Sequence, residues 1–183
     1  VHFRFNDIKT AQAAAHLLHL SGGTMPYMVL IKFLYLADRQ MLLDHGRTIT
    51  GDRLVSMKNG PVLSAVLDLI NHGPVREPDS AWFTLIDAPN NYRVSLKTDS
   101  APTDKLSRYE VELLNRTYNQ YGHMDRWKLV ELLHRILPEW QNPGGGAYPI
   151  EYADILRAED WSEQDIAVLS SENRSAAFLD SLG

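Results

Sequence analysis

Apolar residues near the start of the chain return at helical spacing, at Ile8, Ala11, Ala15 and Leu18. That spacing predicts a first helix. Asn6 or Asp7 is placed to accept bonds from its free first-turn amides, and Gly22-Gly23 ends it. Thr24 is then expected to cap a second helix, with Pro26 near its start, where a missing N–H costs nothing. From Met28 to Ala37 nearly every residue is apolar. A helix apolar all round, yet too short to span a bilayer, predicts the central helix of a bundle. His45-Gly46 closes it, and Arg47–Asp52 reads as a polar loop. Arg53–Met57 alternates weakly and is expected to be extended. Asn59-Gly60-Pro61 is turn chemistry, and Val62, Val66, Leu69 and Ile70 predict a third helix ending at Gly73-Pro74.

Further on, Phe83 and Leu85, then Tyr92, Val94 and Leu96, alternate on either side of Ala88-Pro89-Asn90-Asn91 and predict a β-hairpin. The remainder is helical in pattern. Ser107 and Glu110 form a capping box inside a Leu106/Val111 staple, starting a helix near Arg108 that runs to Tyr121-Gly122. Asp125 caps another, carrying Trp127, Val130, Leu133 and Leu137 and stopped by Pro138. Gln141–Ala147 is a loop, and Pro149 is expected to open a short helix through Leu156. Ser162 with Asp165, flanked by Trp161 and Ile166, launches the last helix. The expectation is a mainly α fold: a single compact helical-bundle domain over residues 1–183, of about six to seven helices around the central one, with one small β-hairpin.

Composition narrows the function classes. A chain of 183 residues buries roughly 70% of its unfolded surface. With no cysteine, it carries no disulfide scaffold, thiol nucleophile or iron–sulfur site. A formal charge of −5 argues against direct nucleic-acid binding by net attraction. The helix after Asp125 carries Arg126, Lys128 and Arg135, but also Glu131 and the apolar stripe of a buried helix. Neither a membrane span nor an export segment is visible, so a cytoplasmic protein is expected.

Reactive constellations are weak. His16 and His19 share a face but lack a third ligand, and His134, beside Leu133, reads as a core-edge histidine bonded to a backbone carbonyl. Gly144-Gly145-Gly146 is followed by Ala147-Tyr148-Pro149 rather than the Lys and Ser/Thr of a phosphate loop. Asp38 and Asp52 invite an acid–base pairing, against which stands a structural role in holding the loop to the central helix. No catalytic, cofactor or metal residue is assigned, and the protein is expected not to be an enzyme. Elimination leaves protein–protein recognition, for which four tryptophans and eight tyrosines supply anchors.

The stretch Leu30-Ile-Lys-Phe-Leu-Tyr-Leu-Ala-Asp38-Arg39, then His45-Gly-Arg-Thr-Ile-Thr-Gly-Asp52, then Met57-Lys-Asn-Gly-Pro-Val62 resembles the Panacea domain, the family of SocA-like antitoxins and phage-associated GepA-like proteins. Leu34, Tyr35, Leu36 and Ala37 match its helix end, Gly46, Thr50 and Gly51 its loop, and Gly60 and Pro61 its turn. Leu106–Glu110, Tyr121-Gly122 and Leu133-His134 to Pro138-Glu-Trp140 look like its later helices. The chain departs from the pattern at Leu54, Ser56, Leu63 and Leu133.

The resemblance implies an antitoxin of a toxin–antitoxin system on a mobile or phage-derived element, neutralising a cognate protein toxin by direct binding. An alternative it implies is an adaptor that delivers the toxin to an ATP-dependent protease. A metal-dependent hydrolase is the remaining rival. Loops held on a rigid scaffold are common binding sites. The toxin-contact set expected here is therefore Asp38, Arg39, Arg47, Asp52 and Lys58, with neighbouring Trp140.

Overall fold

The computed structural model describes residues 1–180. Helix α1, Asp7–Leu20, starts as its sequence demands, with the Asn6 side chain accepting from the Lys9 amide. Strand β1, Thr24–Pro26, leads into α2, Tyr27–His45. Gly46 ends α2 in the left-handed region and returns its N–H to the Leu42 carbonyl. Residues 30–38 of α2 are all buried, with α1 and the segments Gly60–Leu63, Arg108–Tyr121, Arg126–Ile136 and Tyr152–Ala158 packed around the helix. Strands β2, Leu54–Met57, and β3, Gly60–Leu63, form an antiparallel hairpin with Val55 opposite Val62. Helix α3, Ser64–His72, follows directly, then one 3-10 turn over Gly73–Val75.

The short α4, Trp82–Leu85, inserts Trp82 into the core. Strand β4, Arg93–Ser95, pairs with β1, Met25 facing Val94. Helix α5, Arg108–Tyr121, begins with both halves of the capping box in place, and α6, Arg126–Ile136, is capped by Asp125. Strand β5, Tyr148–Ile150, adds to β2, giving the order β3-β2-β5. Helices α7, Tyr152–Ala158, and α8, Glu163–Asp180, complete the described chain. The architecture is mainly helical with a small antiparallel β part. Eight α-helices occur among the described residues, the one beyond expectation being the single turn of α4.

Three local expectations are corrected. Thr24 does not cap a helix: it lies in β1, and its hydroxyl donates to the Val94 carbonyl. The hairpin predicted around residues 88–91 is reduced to two isolated bridges, Ile86 with Leu96 and Asn90 with Arg93. Phe83 and Leu85 lie in α4, and β4 takes its partner from nearly seventy residues upstream. Alternation marks a strand without naming its neighbour. The true hairpin is β2–β3, where all four β3 residues are buried, so no polar face was present to reveal the period. Pro149 sits in edge strand β5 opposite Val55 rather than opening α7, whose cap is Glu151.

The N-terminal segment lies across the loop after α2. The Asn6 amide donates to the Thr50 carbonyl at 2.7 Å, and the Phe3 ring meets Tyr152 edge-on at 4.8 Å. Gly51 makes this close approach possible. Its φ is +66°, and a Cβ there would stand 2.1 Å from the Arg4 carbonyl oxygen. Gly51→Ala should therefore cost at least about 3 kcal/mol, lowering Tm by roughly 6–12 °C. Thermal unfolding measures it, and an unchanged Tm would mean that residues 3–6 do not pack here.

Candidate functional site

The loop between α2 and β2 is built on two buried carboxylates. Asp38, on the last buried turn of α2, accepts the Ile49 and Thr50 amides at 2.8 and 3.0 Å and the Thr50 hydroxyl. Thr50 Oγ1 in turn accepts the Asp52 amide at 3.1 Å. Asp52 reaches forward to α3, where its two oxygens take the Ala65 and Val66 amides at 2.8 and 3.0 Å. Leu63, at the cap position of α3, offers no side-chain acceptor, so Asp52 acts as the cap from eleven residues upstream. Each aspartate is 1% exposed. Burial pushes Asp38 up to about 7 against the pull of Thr50 and Ile49, and pushes Asp52 up against the Ala65 and Val66 amides.

Beside this loop, the segment after α6 is pinned to α2 and β2. Glu139, its side chain fully buried, accepts the Tyr35 hydroxyl at 2.8 Å and Arg39 Nε at 2.8 Å. A second Arg39 nitrogen reaches Glu159 at 2.5 Å. Burial, then Glu139, raises the Tyr35 phenol well above its usual range. Trp140 donates its indole N–H to the Met57 carbonyl at 2.9 Å and stacks on His134, with ring centres 3.7 Å apart. Beneath the hairpin tip, Lys32 is 1% exposed and donates to the Pro61 carbonyl at 2.7 Å. Lys32 Nζ and His134 Nε2 converge on Gly60: a Cβ there would lie 3.3 and 3.7 Å from them. His134 Nε2 is buried without a hydrogen-bond partner. Burial lowers Lys32 to about 7; burial and then the nearby Lys32 lower His134.

The family described as "Antitoxin SocA-like, Panacea domain" matches residues 30–141, well over half of the chain. The chain belongs to this family. No curated protein and no solved structure matches it. Both polar arrangements, the Asp38–Thr50–Asp52 clasp and the Tyr35–Glu139–Arg39 group, fall inside the Panacea segment, as do Lys32, Gly60 and His134. Helices α7 and α8 lie outside it.

The structure divides the expected contact set of this Panacea protein. Arg47 and Lys58 are exposed, Trp140 is half-buried, and the Arg39 side chain retains 11% exposure. Asp38 and Asp52 face inward and present no surface to a partner; that part of the expectation is corrected, because an aspartate ringed by amide donors is committed to the loop. Leu34, Tyr35, Leu36 and Ala37 lie buried in the middle of α2, and Gly46 is the helix's left-handed cap. Thr50 and Gly51 build the clasp, while Gly60, at φ +97°, and Pro61 form the start of β3 above Lys32. His134 stacks on Trp140 instead of bonding a carbonyl. His16 bonds Asn115 of α5 at 2.7 Å, away from His19. Among the described residues no three ligand side chains converge on a metal position, and no helix is long and apolar enough to cross a membrane.

Sequence reasoning passed over Lys32, Glu139 and the buried edge of His134. Lys32 did carry a signal, as the sole charge inside the apolar run Met28–Ala37. Its lowered value means that the unfolded chain holds more protons between pH 7 and 10.5, so stability rises across that window and is lost as pH falls through 7. The depression from 10.5 to about 7 corresponds to a burial cost of roughly 5 kcal/mol for the cation. Lys32→Met should be at least as stable as the parent at pH 7. Relative to that variant, the parent should gain about 3 kcal/mol between pH 7 and 9.5 in urea denaturation. Parallel pH curves would show that the amine is hydrated.

Proposed function

We propose that this chain neutralises a cognate protein toxin by binding it directly, as a preformed surface that makes and breaks no covalent bond. Membership of the SocA-like antitoxin family carries the reading. The geometry is consistent with it: Asp38, Asp52 and Lys32, all buried, are spent on backbone amides and a carbonyl. Those contacts stiffen a loop that leaves Arg47 and Arg53 exposed, and a hairpin tip that leaves Lys58 exposed. A surface held in its bound shape loses little entropy on association, which favours tight capture.

In this reading the toxin touches Arg47, Lys58 and the open edge of Trp140, while Asp38 and Asp52 contribute only by shaping the loop. Co-expression with the product of the adjacent reading frame tests it. The wild-type chain should restore growth, and Arg47→Glu with Lys58→Glu should weaken rescue with Tm unchanged. Asp38→Ala should lower rescue and Tm together, by the 3–5 kcal/mol that buried hydrogen-bond networks lose when one partner goes. Rescue lost at full thermal stability in Asp38→Ala would instead give that carboxylate a contact role. Failure of the wild type to rescue would remove the antitoxin reading.

A further inference from the structure

An open groove lies between the end of α2 and the first turns of α8, with a volume of about 640 Å³. Its apolar part is Trp161, Val168 and Leu169. Val168 is 59% exposed. Leu169 fixes the wall: a Cβ on Gly46 would stand 2.6 Å from its Cδ1, so α8 rests against the cap of α2.

The ionisable side chains of the rim are acidic but for His45, whose ring meets Tyr109 edge-on. Asp44, Asp160, Asp165 and Glu172 line it, and neither lysine nor arginine does. Two of the four are occupied locally: Asp44 accepts from Gln40 and Tyr109, and Asp165 from Ser162. Asp160 and Glu172 have no polar side-chain partner among the described residues and are exposed. Acidic walls around an apolar floor repel phosphate and reject an acidic peptide, and they complement a segment carrying both cationic and apolar side chains. One wall, the end of α2, lies within the Panacea match and the other, α8, lies beyond residue 141.

We infer that this groove receives a basic amphipathic segment of the partner protein, its apolar side chain seated on Trp161, Val168 and Leu169 and its lysines or arginines against Asp160 and Glu172. The inference rests on the antitoxin reading and gives that reading the chemistry of its partner. Gly46, in the groove wall, is followed in the chain by the exposed Arg47.

The experiment uses the full chain and the purified product of the adjacent reading frame. The variant is Asp160→Asn with Glu172→Lys; asparagine tolerates the positive φ of residue 160, which is 61°. Glu112→Lys with Glu131→Lys, on exposed positions of α5 and α6, is the control. The groove variant should weaken binding by at least about tenfold and flatten its salt dependence, the control should do neither, and Val168→Ser should weaken binding without changing the salt slope. If the wild type binds and the groove variant binds equally, with the same salt slope, the groove is overturned and the antitoxin reading survives. If the wild type does not bind either, the antitoxin reading itself falls, and this inference with it. Glu172→Lys and Val168→Ser are each also measured singly with their Tm, so a folding defect in the double variant cannot stand in for lost contact.

Discussion

The structure depends on one constraint, the placement of polar side chains on a helix that has no solvent-facing side over its middle turns. Lys32, Tyr35 and Asp38 sit among the buried residues of α2, and each must find a partner inside the protein. Each does so by drawing a different piece of chain onto the helix. Lys32 takes the Pro61 carbonyl and so seats the hairpin, Tyr35 takes Glu139 and seats the segment after α6, and Asp38 takes Ile49 and Thr50 and seats the loop. Unpaired, any one of them would cost several kcal/mol. The apolar residues of α2 drive burial, and these three decide what covers it.

The same arrangement explains why a rigid surface exists over chain that is otherwise irregular. Residues 46–53 contain no helix or strand, yet their amides and hydroxyls are largely spoken for within the protein. Trp140 closes the neighbouring edge by tying its indole to β2 and its ring to His134. Lys32 is held by a single carbonyl, whereas Tyr35 meets a carboxylate and Asp38 meets two amides and a hydroxyl. It places a cation under the hairpin at a net cost, in a site where an apolar side chain would fit the surroundings better.

Much of this was legible in the sequence wherever the deciding partner is near in the chain. Asn6, the Ser107–Glu110 box, Asp125 and the Ser162–Asp165 pair all act within three residues, and each starts its helix as read. The central helix was legible because its run from Met28 to Ala37 is apolar but for Lys32. What escaped was set by distance. Asp52 serves amides thirteen and fourteen residues away, Glu139 meets Arg39 across a hundred residues, and β4 pairs with β1 across about seventy. The expected contact residues divide on the same principle: Asp38 is read on the central helix and Asp52 in the loop after it, but which way they turn is decided by backbone amides that a linear reading cannot position.

Asp52 also bears on the order in which the molecule assembles. Helix α3 begins at Ser64 with leucine before it, so its own segment supplies no side chain to hold the first turn. The acceptor arrives only when residues 38–52 have folded back onto α2. A short helix without a local nucleus is marginal in water. The formation of α3 is therefore conditional on docking of the loop, and its early amides share the opening events of the clasp rather than fraying on their own.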